Sequence, residues 1–190
     1  MIDVVLASSS PRRTALLDMI GLAHRTVPSK IEEDLDPTAE SDDEVLRLAK
    51  AKGAHVFQTY PHALVLAFDT IVVVQGEILG KPKDNAQAHW MLRRLSGTWH
   101  EVITGVALFR KGYDPQLDVV KTRVKFAELT DRMIEQYVNT GEPFDKAGAY
   151  GIQGKGALLV ERLEGDYYNV VGLPLQRTVN MLERLGISVW

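Results

Sequence analysis

The sequence contains no cysteine. A chain without cysteine cannot form disulfides, thiolate zinc sites or iron–sulfur clusters, and it has no cysteine nucleophile. Long apolar runs are also absent, because the longest, residues 63–68, is far shorter than the roughly 20 residues that span a bilayer. Near the N-terminus an acidic residue precedes the arginines, the reverse of a signal peptide's order. We therefore expect a cytoplasmic protein that uses no membrane.

The chain also lacks a large excess of positive or negative charge. The chain has 22 Lys and Arg against 25 Asp and Glu, a formal net charge of −3. This mild acidity argues against a nucleic-acid partner. The hydrophobic share of 45% and the charged share of 25% are ordinary for globular proteins. No linker or repeat divides the 190 residues, so we expect a single domain over residues 1–190.

The N-terminal segment predicts a strand, a loop and a helix. A short apolar run at residues 4–7, which begins with two β-branched valines, is followed by Ser8, Ser9, Ser10 and Pro11. A pattern of apolar residues with helical spacing then stops at Gly21. Ser10 suits the N-cap position and Pro11 the first helical position, while a glycine is common just past a helix end.

The rest of the chain alternates predicted strands and helices. Ser41 and Glu44 have the spacing of a capping box and predict a helix start after an acidic segment. The apolar stretch 63–74, followed by Gln75-Gly76, predicts a buried strand and a hairpin. Further strands are predicted at 102–109, 120–126 and 157–163, and further helices after Asp84, Thr130 and Pro174. The alternation predicts an α/β fold with a mixed sheet.

The first predicted strand-to-helix turn is a candidate anion site. Serine hydroxyls and the N–H groups of a helix start can bind phosphate oxygens, and Arg12 and Arg13 add two planar cations. Arginine there opposes the helix dipole, at about 0.3–1 kcal/mol per charge, unless an anion lies between them. The alternative is a capped helix with exposed arginines, and composition alone does not separate the two.

Asp69 interrupts the buried strand and is a second candidate. A carboxylate in apolar surroundings is costly unless it is paired, hydrogen-bonded or bound to a metal. The alternative is a structural carboxylate satisfied by the backbone or by a lysine. Lys52, on an otherwise apolar helix face, and Lys81, after the hairpin, have two interpretations, as phosphate ligands or as lysines that extend their charge to solvent.

Glycines in residues 148–154 would let the backbone approach a ligand closely. The segment differs from a P-loop, because five residues instead of four separate Gly148 from Gly154-Lys155, and Gly156 replaces Ser or Thr. The sequence also lacks a dinucleotide fingerprint after a strand and an H-E-x-x-H zinc motif. A Walker-type kinase, a dinucleotide enzyme and a zinc enzyme are therefore not expected.

Eight short motifs follow one another along nearly the whole chain. They are residues 6–13 (Leu-Ala-Ser-Ser-Ser-Pro-Arg-Arg) with Leu16-Leu17, then Asp69-Thr70, 80–82 (Gly-Lys-Pro), 95–97 (Leu-Ser-Gly), 104–106 (Thr-Gly-Val), 141–143 (Gly-Glu-Pro), 147–154 (Ala-Gly-Ala-Tyr-Gly-Ile-Gln-Gly) and 171–174 (Val-Gly-Leu-Pro). In this order they resemble the Maf family of nucleoside triphosphate pyrophosphatases. The first motif and residues 147–154 are highly specific as a pair.

The resemblance implies an α/β fold with an elongated central mixed β-sheet flanked by helices, and two lobes with an active-site cleft between them, commonly in a homodimer. It implies hydrolysis of a nucleoside triphosphate to the monophosphate and pyrophosphate, with a divalent metal cation, Mg²⁺ or Mn²⁺, as cofactor. Within the family the motifs resemble the dTTP/UTP branch. The 7-methyl-GTP branch has a bulky residue in place of the first arginine and no Gly-Ile-Gln.

The resemblance also implies roles for single residues. Asp69 matches the family's proton acceptor, and Arg12, Thr70 and Gln153 match positions associated with substrate choice. The phosphate-side and metal-side positions fall on Ser8, Arg13, Glu33, Lys52 and Lys81, with Ser10 in the same loop. Asp69 and Glu33 are the expected metal ligands, and whether Asp69 is the base or an inner-sphere ligand stays open. Phe68 departs from the family, which has a small residue before the aspartate.

Base choice can be argued from hydrogen bonding. The Gln153 amide offers a donor and an acceptor side by side, which match O4 and N3–H of uracil or thymine, whereas cytosine presents the reverse pattern. Two alternatives remain. One is a non-catalytic nucleotide-binding regulator of septum formation, which would tolerate loss of Asp69, and the other is the same hydrolysis with a modified pyrimidine nucleotide as its target.

Overall fold

The computed structural model describes residues 2–32, 34–36 and 38–190. Within them, seven strands form one open sheet in the order β2-β1-β3-β5-β6-β7, and β4 pairs with β3. The strands are β1 (Val4–Leu6), β2 (Arg25–Thr26), β3 (Leu64–Val74), β4 (Glu77–Leu79), β5 (Trp99–Phe109), β6 (Gln116–Phe126) and β7 (Val160–Glu164). The helices are α1 (Pro11–Met19), α2 (Ser41–Thr59), α3 (Asn85–Leu95), α4 (Asp131–Val138), α5 (Tyr167–Val171) and α6 (Leu175–Arg184). Short 3₁₀ helices lie at Glu142–Asp145, Ala147–Ala149 and Gly154–Leu159.

The sheet combines parallel and antiparallel pairs. β1 runs parallel to β2 and to β3, with Leu6 opposite Leu66. β4 runs antiparallel to β3, and β7 antiparallel to β6. The predicted α/β fold with a mixed sheet is therefore confirmed, while the cleft expected between two lobes stays a prediction.

The chain divides into two compact units. The first comprises the described residues up to Asp69, with Thr104–Val120 and Gly172–Trp190. The second comprises Thr70–Ile103 and Lys121–Val171. Each unit has its own buried apolar cluster. The single domain expected from the sequence stays a prediction.

Small residues dominate the cluster of the first unit. Its members are Val5, Ala7, Ala49, Val56, Ala63, Val65, Ala67, Ala107 and Phe109. Alanines on α2 and on the strands allow the helix backbone to lie close to the sheet. At Gly53 of α2 a side chain would collide with the Phe109 ring. This close packing sets the distance between α2 and the sheet. Both α2 and β3 carry predicted site residues.

Local cap chemistry predicted two helix starts in the second unit. Asp84 accepts a hydrogen bond from the Gln87 N–H at 2.8 Å, and Thr130 accepts one from the Met133 N–H at 3.3 Å. The buried face of α3 consists of Ala88, Met91, Leu92 and Leu95, as the periodicity predicts. These expectations are confirmed, because a cap depends on residues that are close in sequence.

Some local expectations are wrong. The Ser41–Glu44 capping box does not form among the described residues, since α2 begins at Ser41 with Glu40 as its N-cap and the buried Glu44 carboxylate binds elsewhere. The strand predicted at 157–163 begins only at Val160, after a 3₁₀ helix. Helix α5 was not predicted, because five residues are too few for helical periodicity to be detected.

Gly105, in the Thr-Gly-Val motif, lies against the backbone of α2. A Cβ there would be 2.5 Å from the Val45 carbonyl oxygen and 3.1 Å from the Leu46 Cα. Backbone atoms cannot move aside as a side chain can, so Gly105→Ala is expected to lower the free energy of unfolding by about 1–3 kcal/mol. Urea unfolding measures this. An unchanged free energy of unfolding in Gly105→Ala would contradict the packing argument.

None of the helices in the described part of the chain combines the length and the apolar character that a membrane span requires.

Candidate active site

The loop between β1 and α1 is organised around the buried Ser8 hydroxyl. Ser8 Oγ accepts hydrogen bonds from the Ser10 N–H and from Arg13 Nη1, both at 3.1 Å. Arg13 Nε donates to the Gly172 carbonyl at 2.7 Å. The guanidinium is thus held by two segments that are 159 residues apart in sequence. Ser8, Ser10 and Arg13 therefore lie together, as the anion-site interpretation requires.

Ser10 occupies the N-cap of α1 and Pro11 the first helical position, as predicted. Within the described residues, however, the Ser10 hydroxyl makes no capping hydrogen bond. The side chain that binds the loop backbone is Ser8, two residues earlier. The N–H groups of a first helical turn are the donors with which a helix start binds an anion. Arg12, in the same turn, is half-buried.

Asp69 of β3 and Lys52 of α2 form a buried ion pair through Lys52 Nζ and Asp69 Oδ1. Their exposed fractions are 6% and 5%. Lys52 therefore does not extend its charge to solvent. A lysine that satisfies the Asp69 carboxylate is what the structural alternative for Asp69 required, and a role of Lys52 as a phosphate ligand stays a prediction. Two opposite charges buried together are strongly coupled, because removal of either leaves the other in a poorly solvated position.

Strand pairing brings the ion pair close to the serine loop. Leu6 lies opposite Leu66 in the parallel pair, and the Ala7 N–H continues the pairing to the Leu66 carbonyl at 2.8 Å. Asp69 lies three residues beyond Leu66, on the side where β1 leads into the loop. The guanidinium carbon of Arg13 is 5.8 Å from the centre of the ring of Phe68, the residue before Asp69 in β3. The large side chain at position 68 thus serves as a platform for a site arginine.

Of the two metal ligands expected from the resemblance, the structure describes Asp69. Glu33 lies outside the described residues. In the described part of the chain, no group of three or more His, Asp or Glu side chains is placed to hold an ion. A magnesium ion in a nucleotide site is usually bound by one or two carboxylates together with substrate phosphates. The buried Asp69 carboxylate offers hard oxygen donors of this kind, so the residues present fit such a cation.

Glu44 and Arg47 were missed by the sequence interpretation. Glu44 accepts hydrogen bonds from the Asp36 N–H at 2.9 Å and from Arg47, whose guanidinium also donates to the Asp34 carbonyl at 2.9 Å. The Arg47 hydrogen bond holds the pKa of the Glu44 carboxyl below its usual value. The pair attaches residues 34–36, just after Glu33, to the helix that carries Lys52.

The second unit contains Thr70, Lys81 and Gln153. Thr70 is half-buried, whereas Lys81 and Gln153 are exposed. The Gly148 N–H donates to the Gly80 carbonyl at 3.0 Å, so the Gly-Lys-Pro motif and the glycine-rich motif are adjacent. Gly148 has φ +68°, and a Cβ there would be 2.9 Å from Val72. Only glycine suits this backbone.

A buried histidine anchors the glycine-rich motif. His100 Nε2 is 2.7 Å from the Tyr150 hydroxyl, and the His100 and Phe126 rings meet edge to face at 5.0 Å. Among the described residues, His100 Nδ1 has no hydrogen-bond partner. Burial raises the pKa of the Tyr150 hydroxyl and lowers the pKa of His100 to about 4. His100 is therefore neutral at neutral pH.

The free energy of unfolding is expected to depend on pH through His100. Because burial lowers the His100 pKa from 6.5 to about 4, the unfolded chain binds this proton more readily than the folded protein does. The stabilisation is complete above pH 6.5 and is lost as the pH falls toward 4, by about 3 kcal/mol in all. Urea unfolding between pH 7.5 and 4.5 measures it. His100→Gln should flatten the pH dependence, whereas a change at the exposed His62 should not; equal slopes in both variants would contradict the assignment.

The chain is similar to known proteins over nearly its whole length. A family model described as Maf-like protein matches residues 3–185. A dTTP/UTP pyrophosphatase from Symbiobacterium thermophilum is 50% identical over 190 residues, covering 100% of this chain and 97% of that protein. One from Halalkalibacterium halodurans is 52% identical over 188 residues, covering 99% of this chain and 98% of that protein.

Among solved structures, a HAM1 protein from Coxiella burnetii superposes with a TM-score of 0.55 at 16% sequence identity. The match covers 96% of this chain and 100% of that chain. At this identity the likeness concerns the fold alone. Because the family model matches residues 3–185 and the full-length relatives are 50% and 52% identical to this chain, the chain belongs to the Maf family.

Proposed function

We propose that the chain hydrolyses dTTP and UTP to the monophosphate and pyrophosphate, through attack of water on the α-phosphate. The single observation that carries the chemistry is the buried Lys52–Asp69 pair beside the Ser8–Arg13 loop, which joins a carboxylate to a set of cations. The names of the full-length relatives support the choice of substrates. The whole chain, residues 1–190, acts as one catalytic domain in this proposal.

Several cationic side chains bind the triphosphate in this proposal. Arg13 presents a guanidinium whose direction is fixed by Ser8 and Gly172, so it binds phosphate oxygens without first losing conformational freedom. Arg12, one residue earlier in α1, adds positive charge for the triphosphate, and the resemblance gives Lys81 a phosphate-side role as well. The first-turn N–H groups of α1 are further donors for an anion.

Asp69 has one of two roles in this proposal. Its carboxylate either accepts the proton as water attacks or, with Glu33, would hold a divalent cation that supplies charge neutralisation on the phosphates and acidifies water. In both roles the Lys52 ammonium fixes the carboxylate's position. Mg²⁺ and Mn²⁺ both suit oxygen donors of this type. Thr70 follows Asp69 directly in the chain, and with Arg12 and Gln153 it is proposed to select the substrate.

The test is a panel of the common ribonucleoside and deoxyribonucleoside triphosphates plus 7-methyl-GTP, with Mg²⁺ or Mn²⁺. Pyrophosphate and orthophosphate are quantified separately. We expect pyrophosphate from UTP and dTTP, and none in the presence of EDTA. Orthophosphate as the first product would mean attack at the terminal phosphate and would overturn the proposed reaction. Modified pyrimidine nucleotides in the same panel show whether one of them is the preferred substrate.

A further inference from the structure

Glu142, in the Gly-Glu-Pro motif, binds the backbone just after Gln153. Its Oε1 accepts the Lys155 N–H at 3.2 Å and its Oε2 accepts the Gly156 N–H at 3.3 Å. Each carboxylate oxygen thus serves one of two consecutive N–H groups. At Gly154, with φ +66°, a Cβ would be 3.0 Å from Oε1, so the carboxylate lies directly against the turn.

Tyr137 of α4 binds the same turn before Gln153. Its hydroxyl oxygen accepts the Gly151 N–H at 3.2 Å. Burial, and to a smaller degree the Glu142 carboxylate, raises the pKa of Tyr137 to about 12. The Tyr137 hydroxyl and the Glu142 carboxylate together bind backbone N–H groups on both sides of Gln153.

Glu142 is itself held in place. Its N–H donates to Thr140 Oγ1 at 3.1 Å, and its carbonyl accepts from Lys146 Nζ at 2.5 Å. The side chain is half-buried, whereas Gln153 at the centre of the turn is exposed. The turn is thus attached to the protein on both sides of a side chain that can reach a ligand.

We propose that Glu142, with Tyr137, is the positioning residue that sets the base preference of Gln153. This inference rests on the proposed function. An amide recognises uracil or thymine only when its oxygen and nitrogen face the correct atoms of the base. Because the turn is bound at Gly151 and at Lys155 and Gly156, the direction of the Gln153 Cα–Cβ bond is fixed. A turn released from Glu142 lets the Gln153 side chain approach the base from more than one direction, so its oxygen and nitrogen no longer meet the matching atoms of uracil reliably, and discrimination against cytosine falls.

The main variant is Glu142→Gln. It keeps the size of the side chain but places an NH₂ group against one of the two backbone N–H groups, where no hydrogen bond can form. We expect the ratio of kcat/KM for UTP to kcat/KM for CTP to fall by about 3-fold to 10-fold, the range of one hydrogen bond. Pyrophosphate remains the product. Amide hydrogen exchange at Lys155 and Gly156 is expected to accelerate.

Tyr137→Phe is the second variant, since it removes the hydroxyl but leaves the ring in the core. We expect the same direction of change in the UTP-to-CTP ratio, with faster exchange at the Gly151 amide. Glu135→Gln is the matched control, because Glu135 is an exposed residue of α4. Its ratio should equal that of the unmodified protein. If Glu142→Gln does not fold, Tyr137→Phe decides the question.

The outcomes separate the two proposals. A purely structural role would lower the activity on every nucleotide equally and leave the ratio unchanged. An unmodified protein that prefers UTP to CTP, with the same ratio in both variants, overturns the role of Glu142 alone. An unmodified protein that releases no pyrophosphate, or that does not distinguish the two bases, overturns the proposed function and with it this inference.

Discussion

Asp69→Asn is expected to lower kcat for UTP at least about 100-fold, the range for loss of a general base. Asparagine has the shape of aspartate and keeps an oxygen for the Lys52 ammonium, but it cannot accept a proton at neutral pH. The measurement is pyrophosphate release at saturating UTP, with thermal unfolding to confirm that the variant is folded. A residual rate within a few-fold of the unmodified protein would exclude Asp69 from the mechanism.

The same variant separates the enzyme from a nucleotide-binding regulator. A regulator that lacks catalysis would bind UTP and would be indifferent to the loss of Asp69. The control is Asp3→Asn, which removes a carboxylate of the same unit from an exposed ion pair with Arg25. Such surface pairs contribute about 0–1 kcal/mol, so Asp3→Asn should keep the turnover of the unmodified protein.

Lys52→Met is expected to have the largest effect on stability. It deprives the buried Asp69 carboxylate of the Lys52 ammonium, and breaking a buried pair in this way costs about 3–5 kcal/mol. Urea unfolding gives the free energy. Lys50→Met, a change of the same charge at an exposed position of α2, is the matched control and should alter stability by less than about 0.5 kcal/mol.

A double variant tests the coupling. Lys52→Met combined with Asp69→Asn removes both charges, so its loss of stability should be clearly smaller than the sum of the two single losses. The double variant should nevertheless be inactive. Additive losses would show that the two side chains do not stabilise one another and that the ion pair is not a unit of the structure.

The elements that were predicted correctly are those that depend on interactions between residues close in sequence. The Asp84 and Thr130 caps and the hairpin between β3 and β4 each depend on residues a few positions apart. The capping box at Ser41 was wrong because Glu44 is bound by Arg47 and by the Asp36 N–H, a tertiary contact that competes with the local one. A short-range pattern gives no sign of such competition.

The candidate site shows the same division. The unusual positions of Asp69 and Lys52 within apolar patterns marked both residues, but their pairing depends on how α2 lies on β3. Glu142 gave no signal beyond its place in a motif, since a glutamate near glycines is ordinary on a surface. Its proposed role depends on hydrogen bonds from the N–H groups of Lys155 and Gly156, which are 13 and 14 residues further along the chain.

The contact between Arg13 and Gly172 also bears on how the protein is synthesised. A ribosome must add 159 residues after the arginine before its carbonyl partner exists. The first unit therefore cannot complete the contact that holds Arg13 until translation is nearly finished, whereas both segments of the second unit have been made by Val171. A nascent chain, or one truncated before Gly172, would carry every proposed site residue and still lack the carbonyl that holds the Arg13 guanidinium in place.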